Sequence, residues 1–143
     1  MNDRTILVTG GAGYIGSHVC YYLKQQGWEP VCFDNFSTGH RWAVKYGPLV
    51  EGDLLNSFDI NQAIKAHKPL AVMHLASFIQ VGESVKDPLK YYRNNIVGMI
   101  HLLEAMKEGQ VPYMIFSSSA AVYGNPQTCP IDETHPCHPI NPY

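Results

Sequence analysis

The chain has 143 residues, room for one domain with a real core, and its 45% hydrophobic and 15% charged residues are ordinary globular proportions. A net charge of −2 gives no basic footprint for nucleic acid, and no apolar run approaches the ~20 residues needed to cross a bilayer. Arg4 is the only cation at the start of the first apolar run, which is not the layout of a secretory signal, so a cytoplasmic location is expected.

Arg4 to Val8 is a short apolar run ending at glycine, the pattern of a buried parallel strand. Ile15, Val19, Tyr22 and Leu23 then recur at helical spacing, and Gly27 provides a stop. Pro30 to Phe33 reads as a second strand closed by Asp34, and Leu49 to Val50 as a third ending at Gly52-Asp53. Between them, Ser37 to Tyr46 fits a short helix or a loop. Ser57 to Ala66 carries Phe58, Ile60, Ala63 and Ile64 at helical spacing, with Asn56 or Ser57 as the cap. Leu70 to Leu75 is a fourth, wholly apolar strand. A longer helix is expected from about Pro88 to Lys107, with Leu89, Tyr92, Ile96, Met99, Leu102, Leu103 and Met106 on one side, ended by Gly109. Pro112 to Phe116 is the fifth strand and runs into Ser117-Ser118-Ser119. From Gly124 to Tyr143 there are five prolines and no periodicity, so a long loop is expected. Apolar strands alternating with helices predict an α/β fold, a doubly wound parallel sheet of about five strands with right-handed crossovers.

The first strand and helix are joined by Thr9-Gly10-Gly11-Ala12-Gly13-Tyr14-Ile15-Gly16. A glycine pattern in that position suits a dinucleotide. Gly10 lets the chain turn, Gly13 leaves room for a pyrophosphate, and Gly16 lets the helix pack closely. The helix N-terminus offers free N–H groups and a partial positive charge to the phosphates. Asp34, at the end of the second strand, suits the adenosine ribose hydroxyls and would repel a 2′-phosphate, which favours NAD over NADP. Arg41 lies nearby and is the main residue that speaks against this preference.

Cys20 and Cys32 fall in a helix and a strand and read as small buried residues. Cys129, His135, Cys137 and His138 are close in sequence, but their spacing fits no paired-ligand pattern, so no metal is expected. His74, on a buried strand, reads as a packed and hydrogen-bonded histidine. Tyr91 and Tyr92 read as helix core and surface.

The spacing Gly10, Gly13, Gly16 and the segment TGGAGYIGSH resemble the extended branch of the short-chain dehydrogenase/reductase superfamily. Glu51-Gly52-Asp53-Leu54, His74-Leu75-Ala76, Val81-Gly82-Glu83-Ser84, Tyr91-Tyr92-Arg93-Asn94-Asn95 and Phe116 through Gly124 extend the resemblance over nearly the whole chain, within that branch to the nucleotide-sugar 4-epimerases. The resemblance implies a Rossmann-type fold and NAD. It implies cofactor contacts from Gly10, Gly13, Tyr14, Ile15 and Gly16, from Asp34, Asn35, Phe36, Ser37, Thr38 and Gly39, and from Asp53 and Leu54. It adds Leu75, Ala76, Ser77 and Ile79, Ser117, and Asn94 near the nicotinamide side. Ser119 would hold the reacting sugar hydroxyl. Tyr143, in Asn141-Pro142-Tyr143, would be the acid/base of a tyrosine-x-x-x-lysine motif. The implied reaction oxidises carbon 4 of a UDP-hexose, lets the 4-keto sugar rotate, and returns the hydride to its other face.

Three departures and alternatives matter. Ser77-Phe78-Ile79-Gln80 lacks the lysine that many of these enzymes carry after the fourth strand. Ala120 and Ala121 stand where 4,6-dehydratases carry an acidic pair, which argues against that activity, while a 4-epimerase for another nucleotide sugar stays open. The motif lysine after Tyr143 is not in the chain, so the chain reads as a truncated NAD-binding domain. It is expected to be inactive by itself, with Tyr143 frayed, and a non-catalytic NAD-binding module is the alternative. An open sheet edge is expected to drive homo-oligomer formation.

Overall fold

The computed structural model describes residues 4–143. Five parallel strands form one sheet: β1 (Thr5–Thr9), β2 (Glu29–Asp34), β3 (Leu49–Glu51), β4 (Ala71–His74) and β5 (Tyr113–Phe116). Their order is β3-β2-β1-β4-β5, so the chain reverses direction across the sheet between β1 and β4. That reversal opens a crevice at the carboxyl ends of the strands, the place where doubly wound sheets bind ligands.

Alternation along β1 sets the two layers. Leu7 points to one face and joins Val31, Phe33, Ile60, Ile64, Val72, Leu102 and Met106 in the larger core. This core packs under α2 (Ser57–His67) and the C-terminal part of a long helical run. Ile6 and Val8 point to the other face and pack with Cys20, Leu23, Trp28 and Met73 against α1 (Tyr14–Gln25). Each fully buried aliphatic side chain contributes roughly 1.5–3 kcal/mol. Burial pushes the Cys20 thiol up to about 11 and the Cys32 thiol up to about 12, so both stay protonated, as small apolar groups do. Asn56 caps α2 by accepting a hydrogen bond from the Phe58 N–H (3.2 Å).

Three features differ from the sequence-based expectation. The segment Val81–Lys86 is a short helix, α3, too short to show periodicity in sequence. Ala120–Tyr123 is a 3₁₀ turn capped by Ser119. The expected long helix is present but is not uniform: α4 (Pro88–Tyr91) passes through a π-helical turn, Tyr92–Val97, into α5 (Gly98–Glu108). The inward line runs through Tyr91, Gly98, Leu102, Ala105 and Met106 at ordinary helical spacing, so the residues expected on one side divide. Leu102 and Met106 are buried, whereas Leu89, Tyr92, Ile96 and Leu103 are exposed. Tyr91 takes the inward place and is fully buried.

β5 is a sheet edge, and its Tyr113, Ile115 and Phe116 are more than half exposed. The open edge and apolar surface therefore match the expectation. No helix among the described residues is long and apolar enough to cross a membrane.

Candidate functional site

The turn between β1 and α1 is shaped by close approach. Gly10 has φ +71°, and a Cβ there would sit 2.8 Å from the Ala76 nitrogen. A Cβ on Gly16 would sit 2.1 Å from the Gly10 carbonyl oxygen. Gly13 differs: its Cβ would meet only that same oxygen, at 3.3 Å. The space beyond Gly13 is open, and α1 has no side-chain cap at Gly13 and no acidic residue in its first turn. A twelve-residue helix thus presents bare N–H groups to a crevice.

Asp34 is buried at the end of β2. Its Oδ2 accepts a hydrogen bond from the Ala12 N–H (2.9 Å) and its Oδ1 from the Phe36 N–H (2.8 Å). A carboxylate has about four acceptor positions, so about two remain for ligand hydroxyls. Asn35 Nδ2 donates to Asp53 Oδ2 (3.1 Å), and Asp53 Oδ1 accepts from the Leu55 N–H (2.8 Å), which braces the wall after β3. Arg41 pairs with Glu51 and lies over the Phe36 ring, 4.4 Å from its centroid. The guanidinium is thereby engaged by Glu51 and Phe36.

The loop after β4 is held by side chains from three directions. Thr9 Oγ1 accepts from the Ala76 N–H (3.4 Å), Asn95 Oδ1 from the Phe78 N–H (2.9 Å), and Tyr91 Oη from the Gln80 N–H (3.1 Å). Tyr91 Oη in turn donates to Glu83 Oε2 (2.8 Å), and Lys90 Nζ bonds Glu83 Oε1 (2.6 Å). Those two bonds, from Lys90 first and Tyr91 second, hold the Glu83 carboxyl below its ordinary range. Thr9 Oγ1 is also 2.7 Å from His74 Nδ1 and 3.3 Å from the Leu75 nitrogen. The hydroxyl and the ring nitrogen share one hydrogen bond, whose direction follows the ring's tautomer. Burial lowers His74 to about 4, so the ring is neutral, a packed histidine stacked on Phe116.

These parts enclose one cavity of about 710 Å³. Its wall holds Gly10, Gly13, Tyr14, Ile15 and Gly16, then Asp34, Asn35, Ser37 and Thr38, and Asp53 with Leu54. Leu75, Ala76, Ser77, Ile79, Asn94, Ser117, Ser119 and Tyr143 complete the set expected from sequence. Two expected residues are elsewhere. Phe36, at φ +59°, gives Asp34 its N–H and turns its ring to Arg41. Gly39 packs on Ala12, where a Cβ would lie 2.9 Å from the Ala12 Cβ. Tyr143 is a further correction: it is half-buried in the cavity wall rather than frayed. The long loop doubles back through Gly124 (φ +67°), beside the His138 carbonyl, and through the edge-on contact of Tyr123 with His135. Phe33, Phe78, Val81, Phe116 and Ala121 also line the cavity, apolar positions with no signal in sequence to separate them from core. Among the described residues no group of three or more His, Cys, Asp or Glu is placed to hold a metal.

The residues present fit a dinucleotide. An uncapped helix N-terminus faces the cavity, the glycine beside it leaves the approach open, and the carboxylate stands one strand away at the distal end. Residues 6–143 match the NAD dependent epimerase/dehydratase family. The chain belongs to that family. Among its relatives, the UDP-glucose 4-epimerase of Rhizobium leguminosarum bv. trifolii is 50% identical over all 143 residues, which are 44% of that protein. The structure of UDP-glucose 4-epimerase from Brucella ovis in complex with NAD superposes with a TM-score of 0.96 at 48% identity, over 98% of this chain and 43% of that one. UDP-glucose 4-epimerase from Thermotoga maritima with UDP-glucose gives 0.91 at 37% identity, over 97% and 46%. This epimerase-family chain therefore spans less than half the length of the relatives it matches.

Proposed function

We propose that the chain is the NAD-binding portion of a UDP-glucose 4-epimerase. One observation carries this reading: a single cavity joins the uncapped glycine turn and Asp34 to the hydroxyls of Ser119 and Tyr143. The Brucella ovis relative with NAD and the Thermotoga maritima relative with UDP-glucose support the two ligands. The N–H groups at the start of α1 would hold the pyrophosphate, and the free lone pairs of Asp34 the adenosine ribose hydroxyls. Asp53 and Leu54 would flank the adenine, with Ser77, Ile79, Asn94 and Ser117 along the rest. The charge of Asp34 and the engagement of Arg41 by Glu51 favour NAD over NADP.

When bound, NAD supplies the hydride acceptor for carbon 4 of the sugar. Ser119, whose Oγ already accepts from the Ala121 N–H (3.1 Å), keeps its own O–H to orient the sugar hydroxyl. Tyr143 Oη would take and return that hydroxyl's proton. A phenol is a weak base at neutral pH and needs a cation beside it. No lysine or arginine lines this cavity among the described residues. In the resembled family a lysine one helical turn past the tyrosine supplies the charge. The 143-residue chain alone is therefore expected to bind NAD without turnover. The same reading includes a cytoplasmic location, a role in galactose metabolism, and self-association through exposed apolar surface.

Competition between NAD and NADP, followed by fluorescence on the purified chain, tests the cofactor, and a UDP-galactose turnover assay tests the rest. NAD preference without turnover is expected. Equal or tighter NADP binding would sink the cofactor assignment, and turnover by this chain would refute the role given to the missing cation.

A further inference from the structure

We propose that Asn95 is a positioning residue: its side-chain amide sets both the loop Ala76–Gln80 and the Asn94 side chain for the cofactor. The inference rests on the NAD-binding reading above.

Asn95 does not line the cavity, yet two walls of it hang on its amide. Its Oδ1 accepts from the Phe78 N–H (2.9 Å), and its Nδ2 donates to the Phe78 carbonyl (3.0 Å). That pairing fixes the orientation of the amide, because reversing it would set donor against donor and acceptor against acceptor. The same Oδ1 accepts from Asn94 Nδ2 (2.9 Å). With Nδ2 so committed, the polar atom of Asn94 with no partner among the described residues is Oδ1. Asn94 lines the cavity, so this oxygen is the acceptor it offers to a ligand hydroxyl or amide.

The loop has no regular structure to hold it. Its amides at positions 76, 78 and 80 are tied by Thr9, Asn95 and Tyr91 respectively. Ala76, Ser77, Phe78 and Ile79 all line the cavity, so what holds this loop shapes the wall. Asn95 is the middle tie and the only one of the three that also holds a cavity residue on its own helix. The π turn Tyr92–Val97 carries both asparagines, and single π turns of this kind recur at functional sites. Removing Asn95 leaves the ties from Thr9 and Tyr91 in place, so the fold is expected to persist.

The test is a double-mutant cycle on NAD affinity, measured by calorimetry with the full 143-residue chain. Asn94→Ala and Asn95→Ala are each expected to weaken NAD about tenfold, and the double variant to lose far less than the ~100-fold product. Thermal midpoints, recorded alongside, are expected to stay close to that of the unmodified chain. Unchanged affinity in Asn95→Ala, or losses that multiply in full, would overturn the proposal. Should the alanine variant not fold, Asn95→Asp carries the same cycle. It keeps the acceptor for Phe78 and Asn94 and loses the donor to Phe78, with a loss of about threefold expected and no loss overturning the proposal. Failure of the unmodified chain to take NAD is a separate outcome that removes the cofactor reading, and this inference with it.

Discussion

The carboxylate of Asp34 accepts a hydrogen bond from the backbone N–H of Ala12, 2.9 Å away across 22 residues of chain. The acid expected to read the ribose thus also closes the glycine turn onto the end of β2. Replacing Asp34 by Ala leaves the Ala12 and Phe36 N–H groups without their acceptor, at a cost of about 1–3 kcal/mol in stability. Asp34→Asn is expected to cost a similar amount, because its NH₂ must face one of those two N–H groups. Both variants should also lose most of their discrimination against NADP. Urea unfolding and paired NAD and NADP titrations check this; full stability with unchanged selectivity would contradict it.

Gly13 and Gly16 separate folding from binding. A methyl on Gly16 would overlap the Gly10 carbonyl oxygen, a backbone atom that cannot step aside, so Gly16→Ala is expected to cost about 3 kcal/mol or more. Gly13 has φ −77° and ψ 177°, which alanine adopts freely, and only a 3.3 Å contact. Gly13→Ala is expected to change stability by less than about 1 kcal/mol while weakening NAD tenfold or more, because its methyl occupies the phosphate approach. Circular dichroism melts of the two variants distinguish the cases.

His74 makes stability depend on pH. Burial lowers it to about 4 in the folded chain, against about 6.5 in the unfolded one. Below pH ~6.5 the unfolded state takes up a proton that the folded state refuses. The stabilisation is complete above that point and falls away as the pH drops toward 4. Between about pH 7 and about pH 5 the loss should approach 2 kcal/mol. Urea midpoints at both values measure it, and His74→Gln is expected to flatten the dependence.

Leu89, Tyr92, Ile96, Ile100 and Leu103 form an exposed apolar stripe along the helical run, and β5 exposes Tyr113 and Ile115. Self-association at working concentration is the outcome predicted from these two surfaces. Light scattering on the chain and on Ile96→Asp checks which surface acts: a smaller species in the variant assigns the helix stripe, and a monomer in the unmodified chain would contradict the prediction.

The sheet and most of the cavity wall were legible because each strand is a short apolar run that ends beside residues of the cavity wall, as at Gly10, Asp34 and Ser117. The glycine turn was legible because its spacing and its neighbour Asp34 reinforce each other. The π turn was not, since one wider turn leaves no mark on apolar spacing; nor was the exposure of Leu89, Ile96 and Leu103, because an apolar stripe alone does not say which side of a helix meets the sheet. The place of Tyr143 was hidden for a different reason: it depends on how a loop with five prolines folds back, which no local pattern encodes.

The first measurement is calorimetric titration of NAD into the purified chain, with Gly13→Ala in parallel. Saturable one-to-one binding that is weakened at least tenfold in a variant of unchanged stability is the predicted result. Absence of binding, or equal binding by both proteins, would mean that the glycine turn does not hold a pyrophosphate in this chain.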